Sequence, residues 1–414
     1  MPLVKPFCAL KPAKHLQASV VTRPLENYSA GDIKRIAAEN LESFLHLINP
    51  ELDNPYLRGT KQELIYKKIS DNLDSFIEHS ILVKQDKPAV YVYRVIHDGL
   101  TQTGIWTLTH IEDYLNGGIK KHESTVAKRE QSLAEYLQQT GIDANPVLIT
   151  YHREEKIEKL ISKYLTFTPE LDFVLVDESR HQVWAITDEK DLASMISAFA
   201  EVQFVYIADG HHRIASMAKM GQHKQVLNAD KHTGTEAYNY FTSVYMNTTE
   251  VKVLEFNRLV RDLGNLTANE FVGLVEKSFL VEKSSVVVKP GELHTFGMYL
   301  DGQWYRLIAR RGTYDEGNPV AVLDVSILQN FILDPVLKIH DPRADIRITF
   351  EGGRTSIGDL QCKVDSGIYA VAFTLFPVSV EQVIAVADAK GVMPPKSTWV
   401  EPKFLTGLLT SYFN

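Results

Sequence analysis

The sequence predicts a mixed α+β fold in which mixed sheets carry flanking helices. Residues Asp188 to Ser216 read as helix, strand, glycine turn and helix, the order of an α/β unit. Around that unit lie alternating apolar runs joined by polar or Asp-Gly turns, which read as antiparallel hairpins and so argue for mixed sheets. The length, 414 residues, exceeds what one hydrophobic core usually supports. Three subdomains are expected: residues 1–145, residues 146–250 with the central turn, and residues 251–414 with a tail that returns to the site.

Taken in order, the proline-bearing start is extended, with a strand expected over Ala18–Thr22. Apolar spacing predicts helices over Asp32–Ile48 and Thr60–His79. Ala89–His97 and Gly104–Thr109 flank Asp98-Gly99 as a hairpin, and Gly117-Gly118 breaks the chain before a helix over Ser124–Gln139. A strand follows at Pro146–Tyr151, then a helix at Glu154–Tyr164, then a hairpin of Phe173–Val176 with Gln182–Thr187. A helix over Asp188–Ala200 leads into the strand Phe204–Ala208. Gly221–Glu236 is polar and reads as a mobile loop, a lid if it borders a site.

Strands are expected at Asn239–Met246, Val253–Val260, Ile346–Phe350 and Ile368–Phe376, with a hairpin of Thr295–Leu300 and Gln303–Arg310. Thr267 with Glu270 three residues on is a capping-box pattern for a helix to Ser278. Asp324–Ile339 reads as two helical stretches parted by Asp334-Pro335, Val380–Ala389 as a helix, and Leu405–Phe413 as an apolar helix that docks the tail.

Composition narrows the function. Apolar residues make up 44% and charged residues 23%, as in an ordinary globular protein, and the net charge of −8 argues against general nucleic-acid or anionic-membrane binding. Two cysteines, Cys8 and Cys362, are too few for a disulfide framework or a thiolate metal site. With no 18-residue apolar stretch and no apolar leader, a cytoplasmic location without membrane contact is expected.

The central turn concentrates the chemistry. Asp209, Gly210, His211, His212 and Arg213 sit where a strand passes into a helix. A helix N-terminus offers unpaired N–H groups and a positive dipole end, so it favours an anion. Arg213 gains nothing from that dipole, and a bound phosphate or carboxylate explains its position better. The structural alternative has Asp209 capping the helix, Gly210 relieving the turn and both histidines at the surface. Two further polar groups stand out. His122-Glu123 precedes a helix but lacks the second histidine of a zinc-protease motif, and Met393-Pro-Pro-Lys-Ser-Thr398 stiffens Lys396, Ser397 and Thr398 into a phosphate-compatible segment without P-loop glycines. Lys403 follows Pro402 nearby.

Ile207-Ala-Asp-Gly-His-His-Arg213, Asn116-Gly-Gly-Ile-Lys-Lys-His-Glu-Ser-Thr125 and Met393–Thr398 together resemble the bacterial and archaeal family of unknown function numbered 1015. The resemblance runs from Lys5-Pro6-Phe7 to Glu401-Pro-Lys403 and departs from the family pattern at Arg23–Tyr28 and Glu255–Arg258. The Asp-Gly-His-His-Arg turn after a strand is also similar to the nucleotide-binding turn of the ParB and sulfiredoxin superfamily, which includes free-serine kinases using ADP or ATP.

That second resemblance implies a ParB/sulfiredoxin-like nucleotide-binding core and phosphoryl transfer to a small hydroxyl-bearing metabolite such as serine. It implies Asp209 orienting groups or assisting a metal, His211 and His212 contacting phosphate, and Arg213 neutralising it, with ATP or ADP and Mg2+ as cofactors. Asp209, His211, His212 and Glu123 are the catalytic candidates, Glu123 or Glu26 being the base. Gly210, Arg213, Lys396, Ser397, Thr398, Lys403 and His122 are the cofactor-binding candidates, and no resident metal site is assigned. The alternatives are a non-catalytic nucleotide or phosphometabolite sensor, a ParB-like DNA-binding or nuclease-like protein, and zinc hydrolysis through Asp209, His211 and His212.

Overall fold

The computed structural model of the chain describes residues 2–49 and 62–413. The fold is mixed α and β, and the chain divides into two compact units. The first comprises Met1–Lys120, Ser124–Val251 and Pro402–Asn414; the second comprises Lys121–Glu123 and Lys252–Glu401.

A nine-stranded mixed sheet organises the first unit. Its order runs Ile119–Lys120, Val205–Asp209, Val147–Tyr151, Tyr240–Asn247, Leu100–His110, Val90–His97, Arg180–Ile186 and Leu171–Val174, with Val4–Lys5 paired to the end of Leu100–His110. The Asp98-Gly99 hairpin forms as the sequence predicts, because both turn residues adopt positive φ (51° and 73°), which Gly and Asp tolerate. Val147–Tyr151 is buried at every residue and lies parallel to Tyr240–Asn247 but antiparallel to Val205–Asp209. Helices Ala127–Thr140, Glu155–Tyr164, Glu189–Glu201 and His211–Leu227 bury Leu137, Ile157, Phe199 and Met217 in one core with Val92, Ile105, Ile149 and Ile207. Tyr93 and Trp106 alternate with Val92 and Ile105 and so face the other side, where Phe404 of the tail packs against both rings (5.8 and 5.9 Å).

The second unit is built on an all-antiparallel six-stranded sheet, ordered Phe279–Ser284, Gln303–Ala309, Thr295–Leu300, Val371–Leu375, Phe256–Val260 and Ile348–Gly352. The Thr267–Glu270 capping box is present in full. A separate ribbon pairs Lys252–Leu254 with Trp399–Glu401.

Several segments differ from the sequence expectations. Ala18–Thr22 is not a strand: Gln17–Val20 forms one helical turn whose buried Gln17 and Val20 share a face, and Gln17 Oε1 accepts from Asp172 N. The Asp32–Ile48 helix stops at Glu39, because Asn40 turns its side chain to the Ser19 carbonyl and the Glu42 amide; helix resumes only at Leu45–Ile48. Gly221 does not open a mobile loop. The helix runs through it to Leu227, and a Cβ there would stand 2.4 Å from Ile111 Cδ1, so glycine serves close packing; Glu236 then ties Thr233 and Gly234 by their amides.

Nor is Leu405–Phe413 a helix. Thr406 exchanges backbone hydrogen bonds with Thr22, Thr410 bridges Leu10, and Ser411–Tyr412 pairs with Ile142–Asp143. Gly407, at φ 83° against Phe44, turns the chain between these edges. After Asp324–Leu328, Gln329–Leu333 widens into a π-helical turn that ends at Asp334, before Pro335.

Candidate active site

The site candidate in the first unit grows from a defect in a strand. Register shifts between Ile207 and Asp209, which re-aims the Asp209 side chain as the strand leaves the sheet. Gly210 follows at φ 99° and serves as the N-cap of helix His211–Leu227 with no side-chain cap. Its identity is required twice: the backbone is left-handed, and a Cβ would lie 3.0 Å from Arg213 Cζ. His211, His212 and Arg213 thus occupy the first turn of a 17-residue helix whose N-cap, a glycine, offers no side-chain cap.

Arg213 folds back over this turn. Its Nη1 donates to Asn145 Oδ1 at 2.6 Å and to the Pro146 carbonyl, and its Nη2 donates to Asp209 Oδ2 at 3.0 Å. The carboxylate that the sequence argument asked for beside Arg213 is therefore supplied by the chain, four residues earlier. Lys403 approaches the same Asp209 oxygen at 3.4 Å, carried there by Pro402 and by the buried Phe404. Burial works to raise the Asp209 carboxyl, but Lys403, Arg213 and His211 outweigh it and hold the group below the usual carboxylate range. Asp209 does not cap the helix; it holds two cations at the mouth of the turn.

Sequence reasoning missed the floor of this arrangement. Asn145 and the Pro146 carbonyl receive Arg213, and Asp143, two residues before, accepts from Thr242 N at 2.7 Å. Burial pushes Asp143 up to about 6, against the amide bond and the charge of Arg213. The signal available was the Asp-Ala-Asn-Pro run opening a fully buried strand, which pattern reading takes as an ordinary turn.

The first unit thus brings together Asp209, Gly210, His211, His212, Arg213 and Lys403. His122, Glu123, Lys396, Ser397 and Thr398 belong to the second unit. There the Met393 amide donates to the His122 carbonyl at 2.9 Å, and His122 Nε2 stands 3.9 Å from Glu123 Oε1. Lys396 is exposed at φ 56°, while Ser397 is buried and donates its hydroxyl proton to the Pro394 carbonyl at 2.6 Å. The expectation for a Glu26 base falls on a side chain outside the described residues.

A family described as "Protein of unknown function (DUF1015)" matches residues 4–326. The chain belongs to this family. No curated protein matches it. Among solved structures, the chain is similar to a free serine kinase in complex with AMP, at 14% identity and a TM-score of 0.37 over 72% of this chain and 88% of that one. A variant of free serine kinase in complex with ADP gives 16% and 0.38 over the same shares. SbnI with a C-terminal truncation, from Staphylococcus aureus, gives 9% and 0.39 over 73% and 86%. Among the described residues of this DUF1015 member, no helix is long and apolar enough to cross a membrane.

Proposed function

We propose that the chain binds the phosphate groups of ATP or ADP at the turn Asp209–Arg213 and transfers a phosphoryl group to a small hydroxyl-bearing metabolite such as serine. One observation carries the reading. The glycine-started N-terminus of a 17-residue helix lies beside both Arg213 and Lys403, so the positive end of the helix and two cations border one point. Phosphoryl transfer asks a protein mainly for positioning and for charge stabilisation, and this turn supplies both. His211 and His212, on the first two helical positions, are the remaining contacts proposed for the phosphates. Asp209 acts as a positioning residue, because a carboxylate held ionised by two cations is a weak proton acceptor. Magnesium would enter with the nucleotide, held largely by phosphate oxygens, where it would offset their charge. His122, Glu123, Lys396, Ser397 and Thr398 remain candidates on residue type alone.

A second reading, a nucleotide or phosphometabolite sensor without turnover, is favoured by the same ion pairs: they leave Asp209 unsuited to accept the acceptor's proton. Incubation with labelled ATP or ADP and a panel of hydroxyl amino acids separates the two. Label appearing in a phospho-amino acid, lost in Arg213→Ala, supports transfer. Binding that leaves the nucleotide intact supports the sensor, and a wild-type chain that binds neither nucleotide overturns both.

A further inference from the structure

The second unit holds a cation without a counter-charge. Arg258 lies on strand Phe256–Val260, all of whose residues are buried, and is itself 3% exposed. Its Nη1 donates to the Phe256 carbonyl, its Nη2 donates to the Lys396 carbonyl at 3.0 Å, and its guanidinium lies 5.3 Å from the Phe350 ring centre. Among the described residues Arg258 is the one buried arginine, and no carboxylate pairs with it. Other arginines of the unit differ: Arg347 holds Asp345 at 2.6 Å, Arg354 holds Glu401 at 2.9 Å, and Arg306 lies near Glu282 and Glu292.

Burying an unpaired guanidinium is costly, by several kcal/mol in general, and burial alone pushes Arg258 down to about 9. Two carbonyl dipoles occupy two N–H groups of a side chain that offers five. The neighbouring acids are engaged elsewhere: Glu255 with Lys289, Glu351 with Lys363 and Thr355, Glu401 with Arg354 and the Trp399 indole. Next to Arg258 the chain adds a second cation. Lys396, held in left-handed backbone, places its ammonium 5.5 Å from the Phe256 ring centre.

We infer that Arg258 and Lys396 form an oxyanion site in the second unit, taking the carboxylate or phosphate of a small metabolite. A planar oxyanion matches the fork of a guanidinium, and Lys396 adds a mobile charge at the exposed side. Lys396 is also a candidate in the reading of the Asp209 turn, but Arg258 is not, and Lys403→Met separates the two sites.

The test follows the Arg258 Nε–H resonance of the full chain by NMR, assigned by its absence in Arg258→Met. Inorganic phosphate and acetate are titrated at constant ionic strength, in wild type and in Lys403→Met. A saturable shift in both proteins is expected, weakened about two- to fivefold when Lys396 is replaced by Met. A response to phosphate alone assigns a phosphate ester, and a response to acetate alone assigns a carboxylate. A resonance that neither anion moves overturns the proposal. Arg258→Met should also melt no lower than wild type in anion-free buffer, since it removes an uncompensated buried charge. A melting point lowered by several degrees, with no anion response in wild type, would mark Arg258 as purely structural.

Discussion

Lys403 Nζ stands 3.4 Å from Asp209 Oδ2, an ion pair between residues 194 positions apart, and Arg213 Nη2 meets the same oxygen at 3.0 Å. One carboxylate thus positions two cations beside a helix N-terminus, so each of the three has a distinct consequence when changed.

Lys403→Met removes one cation from Asp209. Because its side chain is only 15% exposed, the loss in stability should be about 1 kcal/mol. Affinity for ADP should fall more than this, with Lys403→Arg restoring part of it. Calorimetric titration measures the effect, and unchanged ADP binding in the Met variant would remove Lys403 from the site.

Gly210→Ala forces a side chain into left-handed backbone and against Arg213. The expected cost is about 1–2 kcal/mol in urea unfolding, with nucleotide binding lost as Arg213 is displaced. A variant that unfolds like wild type and binds ADP normally would refute the account of this turn.

Asp143 gives a pH signature. Its folded value of about 6 lies above an ordinary unfolded carboxyl, so the folded chain binds more protons between about pH 4 and pH 6. Its contribution is fully present below about pH 4 and is lost as pH rises through 6. Asp143→Asn should therefore be more stable than wild type at pH 7, by up to about 2–3 kcal/mol, with the gap closing near pH 4. Denaturant midpoints at the two pH values decide it.

His181 works in the opposite direction. It is buried between Tyr93 and Phe173, with Tyr93 Oη 2.8 Å from Nδ1 and Ser179 Oγ 2.9 Å from Nε2, and burial lowers it to about 3. With the folded value below the unfolded one, stability is lost as pH falls from about 6.5 towards 3, at up to about 1.4 kcal/mol per pH unit. His181→Phe keeps the ring stack, leaves the Tyr93 hydroxyl without its acceptor, and should flatten that slope. A variant with the wild-type acid profile would show that another group sets it.

Much of the sheet framework was legible because its signals are local. Asp98-Gly99 and Asp301-Gly302 each set a hairpin, Thr267 with Glu270 set a cap, and Gly210 set the switch from strand to helix. Partnerships across long separations were not legible. Arg213 showed its need for an anion in its position, but that Asp209, Asn145 and Pro146 would answer it depends on the pairing of two strands. The tail misled for the same reason: Leu405, Leu408 and Leu409 have helical composition, yet the backbone edges at Leu10, Thr22 and Ile142 took its hydrogen bonds instead.

The route of the tail also fixes an order of events during synthesis. Lys403 and Phe404 complete the first unit, yet all of Lys252–Glu401 leaves the ribosome before them. A nascent chain that has finished the Asp209 strand therefore carries the turn with Arg213 alone, and the Tyr93–Trp106 face still lacks its Phe404 cover. On the proposed reading, ligand-competent chains are those translated past Lys403, and a chain stopped at Glu401 should present an incomplete turn to the cell's quality control.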